Sequence, residues 1–232
     1  MEPNSLHDLQ KIIHLTFHNP EILKQALVHR SYLNEHEDFP LEHNERLEFL
    51  GDAVLELIIT ENLYLAYPDK DEGTLTALRS ALVNATFLAQ VGKTIALEDY
   101  LYLSKGESKD ASSKARSIII ANAMESLIGA IYLDSGYAGA KQFVEEFVLV
   151  KLPYILEHKL YQDPKSRFQE EAQARLNVTP IYKVLSEIGP DHQKVFTVGV
   201  YLGTDQVAQG TGTSKQEAQA DAAQKGLDAK SW

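Results

Sequence analysis

Glu45, Glu48 and Asp52 stand three and then four residues apart in the run Asn-Glu-Arg-Leu-Glu-Phe-Leu-Gly-Asp-Ala-Val-Leu-Glu, Asn44 to Glu56. On a helix that spacing gathers all three carboxylates on one face. Like charges stacked this way repel, so a chain that keeps them while burying Leu47, Leu50, Val54 and Leu55 has use for a cation. Hard oxygen donors suit magnesium or manganese. The competing reading is a solvated acidic face on an ordinary amphipathic helix. Gly51 argues against it: glycine inside a helix costs about 1 kcal/mol relative to alanine, and makes most sense where something approaches the backbone closely.

A second segment, Ser117 to Leu133, is apolar or small almost throughout, apart from Asn122 and Glu125, three residues apart. A helix apolar on every side is a buried helix. A lone carboxylate there is costly, so Glu125 needs a partner, either a buried Arg or Lys or a metal shared with Glu48 and Asp52. Acids at helical spacing on two separate segments favour the metal.

The elements that must position these side chains are helical. Apolar residues recur at three and four over Leu6 to Phe17, Pro20 to Val28, Glu45 to Tyr67, Glu72 to Gly92, Ser117 to Leu133 and Tyr137 to His158, with a break from Pro68 to Gly73. Ser104 to Ser117 is polar and reads as a loop; its Lys105, Lys109, Lys114 and Arg116 suit solvent and phosphate alike. Near Tyr161-Gln162-Asp163-Pro164 the pattern changes to a helix (Lys165 to Leu176), strands (Ile181 to Glu187, Val195 to Leu202, Gln206 to Gly210) and a last helix (Lys215 to Leu227). The order predicts an all-α domain over 1–162 followed by a small α+β domain, α-β-β-β-α, over 163–232.

Composition agrees with two domains. The 232 residues are 44% hydrophobic, enough for sizeable cores, and contain no cysteine, which excludes disulfides and thiolate metal sites. The apolar runs read as too short to span a bilayer, and Met1-Glu2-Pro3-Asn4-Ser5 lacks signal-peptide character, so the chain reads as soluble and cytoplasmic. The net charge of -11 argues against a nucleic-acid partner until it is located. After Gln162 there are eight Lys or Arg against nine Asp or Glu, so 14 of the 22 basic and 24 of the 33 acidic residues precede it. The acidity belongs to the helical domain, where divalent cations would cancel part of it.

Glu45 to Ala53, Glu-Arg-Leu-Glu-Phe-Leu-Gly-Asp-Ala, closely resembles the signature stretch of bacterial ribonuclease III. Similar matches are Ala26 to Tyr32, Asp71-Glu72-Gly73 followed by Arg79, and Glu125 to Ala130, while the C-terminal part resembles a double-stranded RNA-binding domain through Phe168-Gln169-Glu170, Gly189 to His192 and Gly210 to Lys215. The resemblance implies an endoribonuclease that hydrolyses duplex RNA with magnesium, manganese substituting, and leaves 5'-phosphate and 3'-hydroxyl ends. It implies processing of ribosomal RNA precursors and of messenger and transfer RNA, and a homodimer, with Phe49 either at the dimer contact or in the chain's own core. Glu48, Asp52, Asn122 and Glu125 then hold one or two ions for an in-line displacement, Asp52 and Glu125 carry catalysis, and Glu45 and Glu72 stand in an outer shell. His29, Arg30 and Ser31 hold helices together.

The family pattern has aspartate where this chain has Asn122, whose amide oxygen ligates magnesium without charge, so metal affinity should fall. In the C-terminal domain the wide minor groove of A-form RNA exposes ribose hydroxyls to Gln169, Glu170 and His192, and the last helix, with Ser214 as N-cap and Lys215 beside it, faces phosphates. Gln216, Glu217, Gln219 and Asp221 replace much of the expected lysine content there, which points to modest, salt-sensitive affinity. Two rival readings are a duplex-RNA binding protein with catalysis weakened by Asn122, and an RNA-associated scaffold. Retention of Glu48, Asp52 and Glu125 favours the enzyme over both.

Overall fold

The computed structural model describes residues 3–109, 114–190 and 194–232. It divides into two compact units, Met1–Tyr161 and Gln162–Trp232. Short polar side chains punctuate the helices. Asn19, Asp71 and Asn84 each accept a hydrogen bond from a free N–H of the helix that follows, so the chain turns where an N-cap stands.

In the first unit the helices are α1 (Leu6–Ile12), α2 (Pro20–Ala26), α3 (Arg30–Leu33), α4 (Glu45–Ala66), α5 (Glu72–Val83), α6 (Ala85–Thr94), α7 (Lys105–Lys109), α8 (Lys114–Phe147) and α9 (Leu152–Glu157). The expected helix from Glu72 to Gly92 is two: Asn84, extended at φ -69° and ψ 150°, ends α5 and caps α6 through Phe87 N. Periodicity runs through such a break because the apolar stripe continues on both sides. At Gly136 (φ 69°, ψ -172°) α8 kinks, which separates the two helical runs read on either side of it. The polar stretch Ser104 to Ser117 is not all loop, since α7 and the first turn of α8 fall within it. Arg116 is buried and lies 3.6 Å from Glu98, so it takes part in the fold.

Within the first unit α8 is central and packs against α4, α6 and α2. Leu55, Ile58, Ile59, Ile120, Met124, Leu127 and Ile128 are fully covered. Contrary to the sequence reading, the helical stretch Lys114–Glu157 is long and apolar enough to cross a bilayer by length and composition. Its most apolar window is 61% buried inside the protein, so that apolarity serves the core.

The second unit has α10 (Pro164–Leu176), β1 (Ile181–Ile188), β2 (Val195–Leu202), β3 (Asp205–Gly212) and α11 (Lys215–Lys230). Asp163 caps α10 ahead of Pro164. The three strands form an antiparallel sheet in the order β1-β2-β3, with register shifts near Val184 and Val200. Phe168, Val200, Ala222, Ala223 and Leu227 make the core, and Trp232 closes it by stacking on Phe168 at 5.5 Å. The architecture is the expected one, an all-α unit followed by an α-β-β-β-α domain.

Candidate functional site

Two helices carry the acids, and their glycines decide how close they come. A Cβ on Gly51 would sit 1.7 Å from the carbonyl oxygen of Glu125, and one on Gly129 would sit 2.3 Å from the carbonyl oxygen of Leu47. What approaches Gly51 is therefore the backbone of α8 at Glu125. Helix-to-helix contact at this range sets the α4 acids against the acid of α8.

Glu48 and Glu125 are half-buried and Asp52 is exposed. Burial and the charges of Asp52 and Glu48 push the Glu125 carboxyl up to about 7. Burial and the charge of Glu45 push Glu48 above the usual carboxylate range, against a hydrogen bond from Asn122 that draws it down, and Asp52 adds to the rise. Glu48, Asp52, Asn122 and Glu125 are thus one electrostatic group. Among the described residues no Lys or Arg pairs with these three carboxylates, so the buried Arg or Lys considered for Glu125 is not its partner. Side chains drawn together without a cation, one of them held near neutrality, fit a divalent ion. As they stand, no three His, Asp or Glu among the described residues converge closely enough to enclose one.

The outer acids behave differently. Glu45 faces Arg30 at 3.6 Å and His43 at 3.7 Å, and its charge reaches Glu48. Glu72 opens α5 and lines a groove with Thr60, Tyr64, Thr76 and Arg79. Within one chain it does not join the acids, and it is not among the charges that shift Glu48 or Glu125. His29 accepts from Ser31 N at 3.3 Å as the N-cap of α3, and Ser31 Oγ accepts from Ser104 N at 3.2 Å, so these residues tie α3 to the segment before α7. Burial holds the His29 ring below its ordinary pKa. Phe49 is 82% exposed, which removes the reading that places it in the chain's own core.

In the second unit Gln169 and Glu170 are exposed on α10. Ser214 Oγ accepts from Glu217 N at 3.1 Å and caps α11, and Lys215 is exposed beside it with its ammonium 5.7 Å from the Phe196 ring. Glu217 accepts in return from Thr213 N at 2.9 Å, a capping box displaced by one residue. Asp221 accepts from Thr211 N at 2.8 Å and from Lys225 at 2.7 Å. These two acids, read from sequence as lost lysines, are structural ties, Asp221 joining α11 to β3 and Glu217 joining it to the turn that follows β3. His192 lies outside the described residues.

Comparison with known proteins returns two family models: residues 19–152 match one described as Ribonuclease-III-like and residues 164–229 one described as double-stranded RNA binding motif. A protein named Ribonuclease 3 from Carboxydothermus hydrogenoformans is 45% identical over 98% of this chain and 97% of its own length. One of the same name from Borreliella burgdorferi is 42% identical over 93% of this chain and 87% of its own. Among solved structures, the nuclease domain of ribonuclease III from Campylobacter jejuni is 33% identical with a TM-score of 0.58, covering 64% of this chain and 99% of that one.

Proposed function

This chain belongs to the ribonuclease III family and is an endoribonuclease with a double-stranded RNA-binding domain; on that premise we propose that it cuts duplex RNA with magnesium and leaves 5'-phosphate and 3'-hydroxyl ends. The observation that carries the metal is the crossing at Gly51, which brings the backbone of Glu125 against α4 and leaves its half-buried carboxylate beside Asp52 and Glu48 with no Lys or Arg paired to it among the described residues. Glu48, Asp52, Asn122 and Glu125 would hold the ion, with manganese able to replace it. These residues would hold a magnesium ion whose contribution, when bound, would be an activated water and a polarised phosphodiester. The chain's own part is to keep Glu125 and Glu48 partly out of water, so that a cation gains more from them than from exposed carboxylates. Asn122 supplies a neutral oxygen and steadies Glu48 by its hydrogen bond. Glu45, held by Arg30 and His43, orders the edge of the group.

RNA is held by the second unit through the exposed Gln169 and Glu170 of α10 and through Ser214 and Lys215 at the start of α11. The protein works as a homodimer. The support is Phe49 with Leu57, Tyr64 and Leu65, all exposed on α4, together with a relative from Campylobacter jejuni described as having a region involved in dimer formation. Its substrates in the cell are ribosomal RNA precursors and other structured RNAs.

Incubation of the full chain with an end-labelled RNA duplex tests the reading. Cleavage is expected with magnesium and not with chelator, and Glu125→Ala should bind the duplex without cutting it. Cleavage in chelator, or a wild-type rate from Glu125→Ala at saturating magnesium, would overturn the metal assignment.

A further inference from the structure

The carbonyl oxygen of Asn44 is shared by the two helices that carry the acids. It accepts from the backbone N–H of Glu48 at 2.9 Å, the first hydrogen bond of α4, and it lies 3.3 Å from Ser126 Oγ on α8. Ser126 follows Glu125 in sequence and is completely buried. Its single hydroxyl proton is divided between Asn44 O and Asn122 O, the latter at 2.8 Å. The Ser126 hydroxyl thus links the turn of α4 that ends at Glu48 with the turn of α8 that bears Asn122 and Glu125.

Asn44 is itself fixed from below. Asparagine is among the best N-caps, yet Asn44 has helical φ and ψ (-82°, -7°) and its side chain caps nothing in α4. Instead Nδ2 donates to Ala26 O at 3.2 Å and the backbone N–H to Val28 O at 2.9 Å, which anchors the residue on the end of α2. It is 4% exposed. A buried polar side chain turned away from the cap it could make has another use, since the first turn of α4 forgoes a hydrogen bond to allow it.

We infer that Asn44 and Ser126 are positioning residues for the acids, a pair that fixes the height of Glu48 on α4 relative to Asn122 and Glu125 on α8. The inference rests on the reading of those four residues as the metal group. Gly51 and Gly129 fix how near the helices come and roughly where they cross, since only a glycine fits against each facing carbonyl; a hydrogen bond from the α8 side to the Asn44 carbonyl removes the small sliding that remains. Both side chains are buried, Asn44 at 4% exposure and Ser126 completely, so they act through the helices that they join. Their loss should act on kcat and on the magnesium requirement, and leave the KM for duplex unchanged.

The test uses the full-length chain with Ser126→Ala, Asn44→Ala, Asn44→Asp and the Ser126→Ala/Asn44→Ala double variant. Ser126→Ala removes only one hydroxyl and should fold; it should raise half-maximal magnesium about threefold and lower kcat by a similar factor. Asn44→Ala should lower kcat about tenfold, less than the roughly hundredfold cost of a full 1 Å misplacement because the Asn44 carbonyl itself is kept. Asn44→Asp keeps the shape but cannot donate to Ala26 O, so it should behave like Asn44→Ala. Two residues acting as one unit should give a double variant no worse than Asn44→Ala. A readout apart from cleavage is the rise in melting temperature on adding magnesium without RNA, which should shrink in Ser126→Ala. If Ser126→Ala matches wild type in magnesium requirement and in that rise, the inference is wrong. A KM increase with kcat unchanged would also overturn it. Glu125→Ala run alongside separates the two ideas, since its wild-type cleavage would condemn the metal group, whereas its inactivity beside an unaffected Ser126→Ala would condemn only the positioning pair.

Discussion

In the nuclease unit α8 lies on α4 through Gly51 and Gly129; in the RNA-binding unit α11 lies on β3 through Gly210 and Gly212, where a Cβ on Gly210 would sit 2.1 Å from Ala222 N. The device is the same and the treatment of carboxylates is opposite. On α11, Glu217 and Asp221 are satisfied by backbone N–H groups, and Asp221 by Lys225 as well. At the α4–α8 crossing, Glu48, Asp52 and Glu125 repel one another with no lysine or arginine paired to them among the described residues. Satisfied acids account for themselves as structure. Unsatisfied ones that cost stability point to a ligand, and that contrast sets the proposed metal group apart from an ordinary acidic surface.

The strongest way to break the comparison is to remove each glycine. Gly51→Ala should cost about 3 kcal/mol or more, because the added carbon meets backbone that cannot rotate away. Thermal melting should show the loss in the helical unit, with cleavage abolished and duplex binding kept. Gly210→Ala should do the reverse, reducing duplex binding while cleavage at low salt survives.

Next comes pH. Glu125 has its pKa raised on folding to about 7 from 4.5, so its contribution is fully present below pH 4.5 and is lost as pH rises through 7. At 1.36 kcal/mol per pH unit that rise amounts to about 3 kcal/mol, reduced to about 1–2 by the group's partial access to solvent. Metal-free Glu125→Gln should therefore melt higher than wild type at pH 8, the two should coincide near pH 4, and magnesium should favour wild type. Asp221 should show the opposite sign. Burial alone would raise its pKa, but Lys225 and Thr211 N–H prevail and hold it below the usual range. Its stabilisation is present above the unfolded value and lost as pH falls through the folded one, so Asp221→Asn should lower stability at pH 7 by about 1 kcal/mol and converge on wild type in acid. Matching pH profiles for the two substitutions would erase the distinction drawn between the units.

The smallest expected effect is at Asn122. Restoring aspartate should lower half-maximal magnesium about threefold, since hard cations favour anionic oxygen, and should lower the melting temperature in chelator by adding a fourth charge to the group. An unchanged magnesium requirement would remove Asn122 from the site.

Much of this was legible before any coordinates. Acid spacing on α4, the isolated Glu125 and the change of pattern at Asp163 are local signals, and local signals survive in a sequence. What was illegible depends on contacts distant along the chain. Gly51 announced a close approach but not that the visitor is Glu125's own backbone. Asn44 reads as an N-cap in any sequence, and only the position of Ala26 O shows its side chain engaged elsewhere. Arg116 reads as suited to solvent or phosphate, and its place beside Glu98 is a contact of the fold. Glu72, read as an outer-shell acid, sits beside Thr60 and Tyr64 of α4 and apart from the other acids.

The central place of α8 also has a consequence for how the chain is made. Its main partners α2, α4 and α6 all precede it, so during synthesis they wait with their apolar faces uncovered until residues as far as Phe147 have emerged. Pairing across α5, α6 and α7 is slow to find compared with the contiguous strands and helices of the RNA-binding unit. A ribosome stalled before Lys114 therefore presents the acids of α4 before Glu125, their proposed companion on α8, has been made, and the completion of that group waits on the arrival of a single helix.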